Sequence, residues 1–186
     1  MKNFSIINVV DIESTCWEGD SPPGEMSEII EIGLCELDSR SLEILETRSL
    51  LCRPVDSSVS PFCTKLTTLT DDMLRARGMT FGAACALIRL HDNTRNRIWA
   101  SFGDYDRHMF TKCCTRNNVE YPFGSRHINV KMLASLAFGW RREFGMKEVL
   151  RRLDLPLVGT HHRGVDDAAN TARILRVILE NMRGKI

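Results

Sequence analysis

No stretch of this 186-residue chain approaches the ~20 consecutive apolar residues that a membrane-spanning helix requires. The N-terminal Met1-Lys2-Asn3-Phe4 carries no apolar signal core with a small-residue cleavage site after it, so a cytoplasmic, non-membrane protein is expected. The seven cysteines (16, 35, 52, 63, 85, 113 and 114) include no CxxC pair, and their number is odd. That argues against both a disulfide framework and a zinc knuckle, and leaves the thiols as small buried hydrophobes. Repeats, low-complexity tracts and linker-like segments are also missing, so residues 1–186 read as one domain. Nor is there an excess of charge, the net value being +1. The balance hides a division: residues 1–85 hold 7 basic and 14 acidic side chains, and residues 86–186 hold 18 and 10. Such a split suits a pole for cations and a pole for an anionic polymer, and it equally suits chance segregation over a solvated surface.

What is present is an α/β pattern. Residues 4–12 (FSIINVVDI) form an apolar run of the kind found in a strand covered on both faces. After a Gly/Pro-rich loop at 17–26, EIIEIGLCELD (28–38) and LEILETRSLLCRP (42–54) flank a polar turn and predict a hairpin. With the first run they make an antiparallel meander. Pro61 is placed to open a short helix, Thr70 to cap a second ending near Arg77, and Thr80 to cap a third over 80–91. A strand follows at 97–103, a helix at 106–118, a short extended piece at 126–130, and helices at 131–140 and 146–154. The last helix, 166–182, carries Ala169, Ala172, Ile174, Val177 and Ile178 as its apolar stripe. Three strands followed by alternating helices and strands indicate a mixed sheet covered by helices.

Three short signals carry chemistry. Asp11 and Glu13 end the first strand two residues apart, so both carboxylates point to one face. Like charges so placed call for a cation, and carboxylate oxygens suit Mg²⁺ or Mn²⁺; the bland alternative is a solvated strand end. The second signal is Ser101-Phe102-Gly103-Asp104-Tyr105-Asp106, where either aspartate could serve a site or merely cap the following helix. The third is His161-His162-Arg163-Gly164-Val165-Asp166-Asp167, a histidine five residues ahead of an aspartate with Gly164 as a flexible link. A histidine titrating near neutrality can take a proton from water, with a metal-holding carboxylate beside it. The pairs His161/Asp166 and His162/Asp167 both satisfy the spacing.

The order of these signals, together with VVDIESTCW (9–17), SEIIEIGLCELD (27–38), RPVDSSVSPFCTKLTTLT (53–70), SFGDYDRHMF (101–110) and HHRGVDDAANTARIL (161–175), resembles the DEDDh 3′→5′ exonuclease superfamily, and within it the Eri-type exoribonucleases and their bacterial relatives. The resemblance implies a ribonuclease H-like mixed five-stranded sheet with helices on both faces. It implies Asp106 rather than Asp104, because the family's metal-site Asp follows an aromatic residue. It implies His162 with Asp167, because the family's Asp precedes a small residue and follows an extra Asp. Asp11, Glu13, Asp106 and Asp167 would then hold two divalent cations, Mg²⁺ or Mn²⁺, and His162 would be the general base. Backbone near Thr15 would meet the terminal 3′-OH, Leu66 and Thr67 would flank the last base, and Tyr105 would lie beneath the strand. Arg107 and Arg163 are candidate phosphate contacts. The implied substrate is a single-stranded nucleic acid 3′ end, RNA favoured over DNA, and the product a nucleoside monophosphate. Ser101 stands where many members of the superfamily have Asn. Two other functions fit the same residues: an exonuclease acting on DNA, and a nuclease fold kept as a non-catalytic binding module.

Overall fold

The computed structural model describes residues 3–184. Five strands form one sheet in the order β3-β2-β1-β4-β5: β1 (Asn3–Ser14), β2 (Ile29–Asp38), β3 (Ile44–Leu51), β4 (Arg97–Ser101) and β5 (His127–Asn129). The pairs β1–β2 and β2–β3 are antiparallel, whereas β1–β4 and β4–β5 are parallel. The mixed five-stranded sheet expected from the sequence is therefore present. The helices are α1 (Pro61–Thr67), α2 (Asp71–Arg77), α3 (Phe81–His91), α4 (Tyr105–Asn117), α5 (Val130–Ala137), α6 (Met146–Arg152) and α7 (Gly164–Met182). None of the described helices is long and apolar enough to cross a membrane.

β1 is central, and its alternation divides the core. Val10 and Ile12 face a cluster with Ile88 of α3 and Phe110 of α4, while Ile7 and Val9 face Ala172, Ile174 and Ile178 of α7. Both faces are thus covered, which is why β1 reads as a continuous apolar run rather than an alternating one. By the same period, Asp11 and Glu13 continue the row of Ile7 and Val9, on the face that meets α7. Each buried Ile or Leu of α7 contributes roughly 1.5–3 kcal/mol by leaving water, which holds the helix to the sheet.

The helix caps follow the sequence signals. Ser60, Thr70 and Thr80 accept from the backbone N–H groups of Cys63, Met73 and Ala83, and Pro61 occupies the first position of α1. Three expectations need correction. β3 is shorter than 42–54, because Leu42 takes a left-handed φ of 65° in the turn and the ladder with β2 ends at Leu51, with one further bond from the Cys52 N–H to the Ile30 carbonyl. The buried stripe of α7 runs through Ala168, Ala172, Ile174, Leu175 and Ile178, with Ala169 and Val177 only partly covered at its margins. Gly164 is no flexible link but the first residue of α7, pressed against β2.

That contact is closer than any side chain permits. A Cβ added to Gly33 would lie 1.9 Å from the carbonyl carbon of Gly164, and one added to Gly164 would lie 3.1 Å from the Asp11 carbonyl oxygen. Glycine at both positions lets the start of α7 rest on the backbone of β1 and β2. Gly33→Ala should therefore destabilise the protein by about 3 kcal/mol or more in urea unfolding. Gly145→Ala, where nothing lies within 4 Å of the added carbon, should cost no more than about 1 kcal/mol.

Candidate active site

The site forms where four element ends meet: the carboxyl ends of β1 and β4 and the amino ends of α4 and α7. The carboxyl edge of parallel strands is where open α/β sheets expose loops and free helix N-termini. β1 contributes Asp11 and Glu13, α4 contributes Asp106 in its first turn, and α7 contributes Asp167 in its first turn. Single carboxylate oxygens of Asp11, Glu13 and Asp167 all lie within 4.8 Å of one another. Glu13, Asp106 and Asp167 are buried at 8%, 4% and 3% exposure, and Asp11 is partly exposed.

Asp106 is tied to this group through the backbone between the first two acids. β1 outruns its parallel pairing with β4, whose last matched pair is Val9 with Ala100, and the Ile12 N–H farther along donates to Asp106 Oδ1 at 2.9 Å. Asp104 lies outside the cluster: it is half exposed, pairs with Arg107 at 3.0 Å and accepts from the Asn129 side-chain amide at 2.9 Å. The second aspartate doublet divides in the same way. Asp166 accepts from the Thr160 N–H at 2.8 Å and holds the preceding loop, whereas Asp167 turns inward to Asp11 and Glu13.

The crowding is visible in the acidities. Burial, then the charges of Asp106, Glu13, Asp167 and Glu31, hold the Asp11 carboxyl well above the usual carboxylate range. Burial and the charges of Asp167, Glu31 and Asp106 push Glu13 up to about 8, against the opposing pull of Arg163. Burial pushes Asp106 up to about 7, partly offset by the hydrogen bonds it accepts. Clustered carboxylate oxygens fit a hard divalent cation such as Mg²⁺ or Mn²⁺. The four acids brought together here are the ones singled out in the sequence.

Both histidines stand at Asp167. The Nδ1 of His161 lies 2.9 Å from Asp167 Oδ2, and the His162 backbone N–H donates to the same oxygen at 2.9 Å. The two imidazoles lie 3.9 Å apart between centroids with their planes inclined by 32°, and His162 has a left-handed φ of 67°. Burial and the neighbouring His161 lower the pKa of His162, so its ring is neutral at neutral pH. Asp167, His161 and His162 also form a potential ligand group of their own, sharing one carboxylate with the all-oxygen set.

The expected substrate contacts divide. Tyr105 is 56% exposed, and its hydroxyl lies 2.9 Å from that of Ser14 at the end of β1. Leu66 is partly exposed on α1. Thr15 and Thr67 are fully buried with their hydroxyls occupied. That of Thr15 accepts from the Glu28 N–H and meets Ser57, and that of Thr67 donates to the Cys63 carbonyl. The N–H of Thr15 donates to the Glu28 carbonyl. These two threonines brace the loops around the site. Arg163, expected at a phosphate, is turned onto Glu31, with Nε 3.1 Å from Oε2. Ser101 is buried and bonds the Gly103 carbonyl and the His127 ring, bracing the turn before Asp106. A cavity of about 610 Å³ lined by Trp99, Arg107, Tyr121 and His127 includes none of the four acids.

Glu31 was missed from the sequence. It is fully buried, sits directly opposite Glu13 in the β1–β2 register, and adds a fifth carboxylate beside the cluster. Its only sequence signal is an acid at an inward position of EIIEIG, which strand patterning alone treats as an anomaly.

The exonuclease family model RNase_T matches residues 9–175. Human ERI1 exoribonuclease 3 is 28% identical over 179 residues, covering 91% of this chain and 52% of that protein. The 3′-5′ exoribonuclease 1 of Rattus norvegicus is 30% identical over 189 residues, covering 96% and 54%. The chain thus spans about half the length of these curated relatives. Among solved structures, the nuclease domain of 3′hExo, a DEDDh family member bound to rAMP, superposes with a TM-score of 0.84 at 28% identity, covering 95% of this chain and 92% of that one. E. coli exonuclease I in complex with a dT13 oligonucleotide shares the fold at 14% identity, with a TM-score of 0.73 and coverage of 97% and 42%.

The raised acidities predict a pH dependence. A carboxyl that holds its proton to about 7 or 8 when folded, and to about 4 when unfolded, favours the folded state at pH 5 and loses that advantage as pH rises through the folded pKa. The metal-free protein should therefore melt a few degrees higher at pH 5.5 than at pH 8.5. Mn²⁺ should reverse the order by stabilising the pH 8.5 sample more. A melting temperature that rises with pH in EDTA, in variants at other titrating sites as well as the wild type, would contradict this account.

Proposed function

This chain belongs to the RNase_T exonuclease family, and on that premise we propose that it hydrolyses single-stranded RNA from the 3′ end, releasing nucleoside 5′-monophosphates. The observation that carries the reading is the gathering of Asp11, Glu13 and Asp167 within 4.8 Å, with Asp106 held beside them by the Ile12 N–H. The relatives are named exoribonucleases, which favours RNA over DNA as substrate.

Asp11, Glu13 and Asp167 would hold one divalent cation, and Asp11 with Asp106 a second. When bound, the pair supplies positive charge to the phosphate oxygens and orients an in-line displacement. Once ionised, the same carboxylates would repel a phosphodiester unless cations lay between them, which supports reading the acids as ligands. His162 takes a proton from the attacking water, and its lowered pKa leaves the ring free to do so at neutral pH. Water adds to phosphorus, the bond to the 3′ oxygen of the penultimate nucleotide breaks, and that oxygen regains a proton. No covalent enzyme intermediate forms. Leu66 and the exposed ring of Tyr105 flank the terminal nucleotide, and such apolar and aromatic contacts are worth ~1–3 kcal/mol per base without sequence preference. Thr15 and Thr67 shape this pocket through the backbone they hold.

The test is degradation of 3′-labelled and 5′-labelled single-stranded RNA and DNA with Mg²⁺ or Mn²⁺. Stepwise shortening from the 3′ end, faster on RNA, is expected, and Asp11→Ala should abolish it. His162→Ala should lower kcat by about 100-fold or more while leaving Mn²⁺ affinity nearly unchanged, and His161→Ala should be mild. The opposite ranking would transfer the base to His161. Equal inertness of wild type and Asp11→Ala on every 3′ end would leave a binding module.

A further inference from the structure

Glu31 is a buried acid that the proposed chemistry does not use. It faces Glu13 across the β1–β2 ladder and is wholly excluded from solvent. A carboxylate so placed, beside other carboxylates, is unfavourable unless its oxygens are fully engaged. They are. Oε2 accepts from the Gly164 N–H at 2.9 Å and from Arg163 Nε at 3.1 Å, and Oε1 accepts from Arg163 Nη2 at 3.3 Å and from the Ser49 hydroxyl at 2.5 Å.

Two of those donors belong to the segment that carries the reacting groups. Arg163 and Gly164 lie between His162 and Asp167, and Arg163 is the N-cap position of α7 without a side-chain capping bond of its own. The first N–H of α7 is therefore satisfied from another strand, by Glu31. The remaining arm of the guanidinium, Nη1, reaches the hydroxyl of Thr68 at 3.4 Å. Thr68 ends α1 in a left-handed conformation, one residue past Thr67 and two past Leu66. One arginine thus joins β2, the start of α7 and the end of the helix expected to flank the terminal base. The glycine contact beneath it leaves little slack between α7 and β2, since a Cβ on Gly33 would lie 1.9 Å from the Gly164 carbonyl carbon and one on Gly164 would lie 3.0 Å from the Gly33 nitrogen.

We propose that Glu31 and Arg163 form a positioning clamp that sets the height of His162 and Asp167 over Asp11 and Glu13, and that links this setting to the 3′-end pocket through Thr68. The inference rests on the exonuclease reading for its kinetic consequence but not for its geometric one. Glutamate is required rather than glutamine. The amide of a glutamine would point donors at the donors of Arg163, and the arginine would lose its counter-charge. Lysine cannot replace Arg163, because a single ammonium cannot bind both carboxylate oxygens as a fork and reach Thr68 together.

The experiment compares Glu31→Gln and Arg163→Lys with the wild type, reading kcat and KM on a single-stranded RNA and, separately, Mn²⁺ affinity by electron paramagnetic resonance. Both variants should lower kcat at least 10-fold and raise the half-saturating Mn²⁺ concentration several-fold. KM should change more in Arg163→Lys, which alone loses the tie to Thr68. A lower melting temperature accompanies either a clamp or a purely structural pair, so the discriminating readouts are kcat per folded molecule and Mn²⁺ affinity. Wild-type values of both in Glu31→Gln overturn the proposal. Should Glu31→Gln fail to fold, wild-type values in Arg163→Lys overturn it instead. A wild type inert on RNA defeats the exonuclease reading alone, because Mn²⁺ affinity still reports whether the clamp sets the spacing of the acids.

Discussion

Mutual repulsion among carboxylates at the end of β1 is the constraint around which the surrounding structure is arranged. Asp11, Glu13, Asp106 and Asp167 sit together, with Glu31 beside them, and burial adds to the cost of ionising Asp11, Glu13 and Asp106. The fold offsets part of this with donors already in place. The Ile12 N–H serves Asp106, the His162 N–H serves Asp167, and the Gly164 N–H and Arg163 serve Glu31. Two of the acids lie in first helical turns, where the free backbone N–H groups favour negative charge. These donors tolerate the cluster without neutralising it, as the proposed cation site would require.

Much of the scaffold was legible in local sequence. β1 could be recognised because a strand covered on both faces has no polar alternation, and α1 to α3 because Ser/Thr caps and Pro61 mark their starts. The site was legible in part because its acids fall at strand and helix ends, where sequence boundaries and chemistry coincide. Choosing Asp106 over Asp104, and Asp167 over Asp166, needed the likeness to the exonucleases; in the structure the geometric reason is that the rejected member of each doublet holds a loop or an arginine. Glu31 could not be read in this way, because its role depends on partners 18 and 133 positions away in sequence. The hydroxyls of Thr15 and Thr67 likewise have backbone partners, the Glu28 N–H and the Cys63 carbonyl, that no motif marks.

The comparisons and the geometry answer different questions. The family model and the relatives near 30% identity establish kinship, whereas E. coli exonuclease I at 14% identity establishes only that the sheet and its helices persist when most side chains have changed. Across such a range, what a shared fold conserves is where chain ends converge. The groups placed at those ends decide what chemistry is possible.

At Gly33 and Gly164 two peptide backbones touch with no side chain between them. Where elements are separated by interdigitated side chains, rotamers can shift to absorb a substitution and change the spacing by fractions of an ångström. Here the gap between strand and helix is a matter of covalent dimensions and van der Waals radii, which no change in the hydrophobic layers can alter. The ruler that spaces the strand acids from the helix acid is therefore the main chain, and the interior on either side is free to drift in composition without recalibrating it.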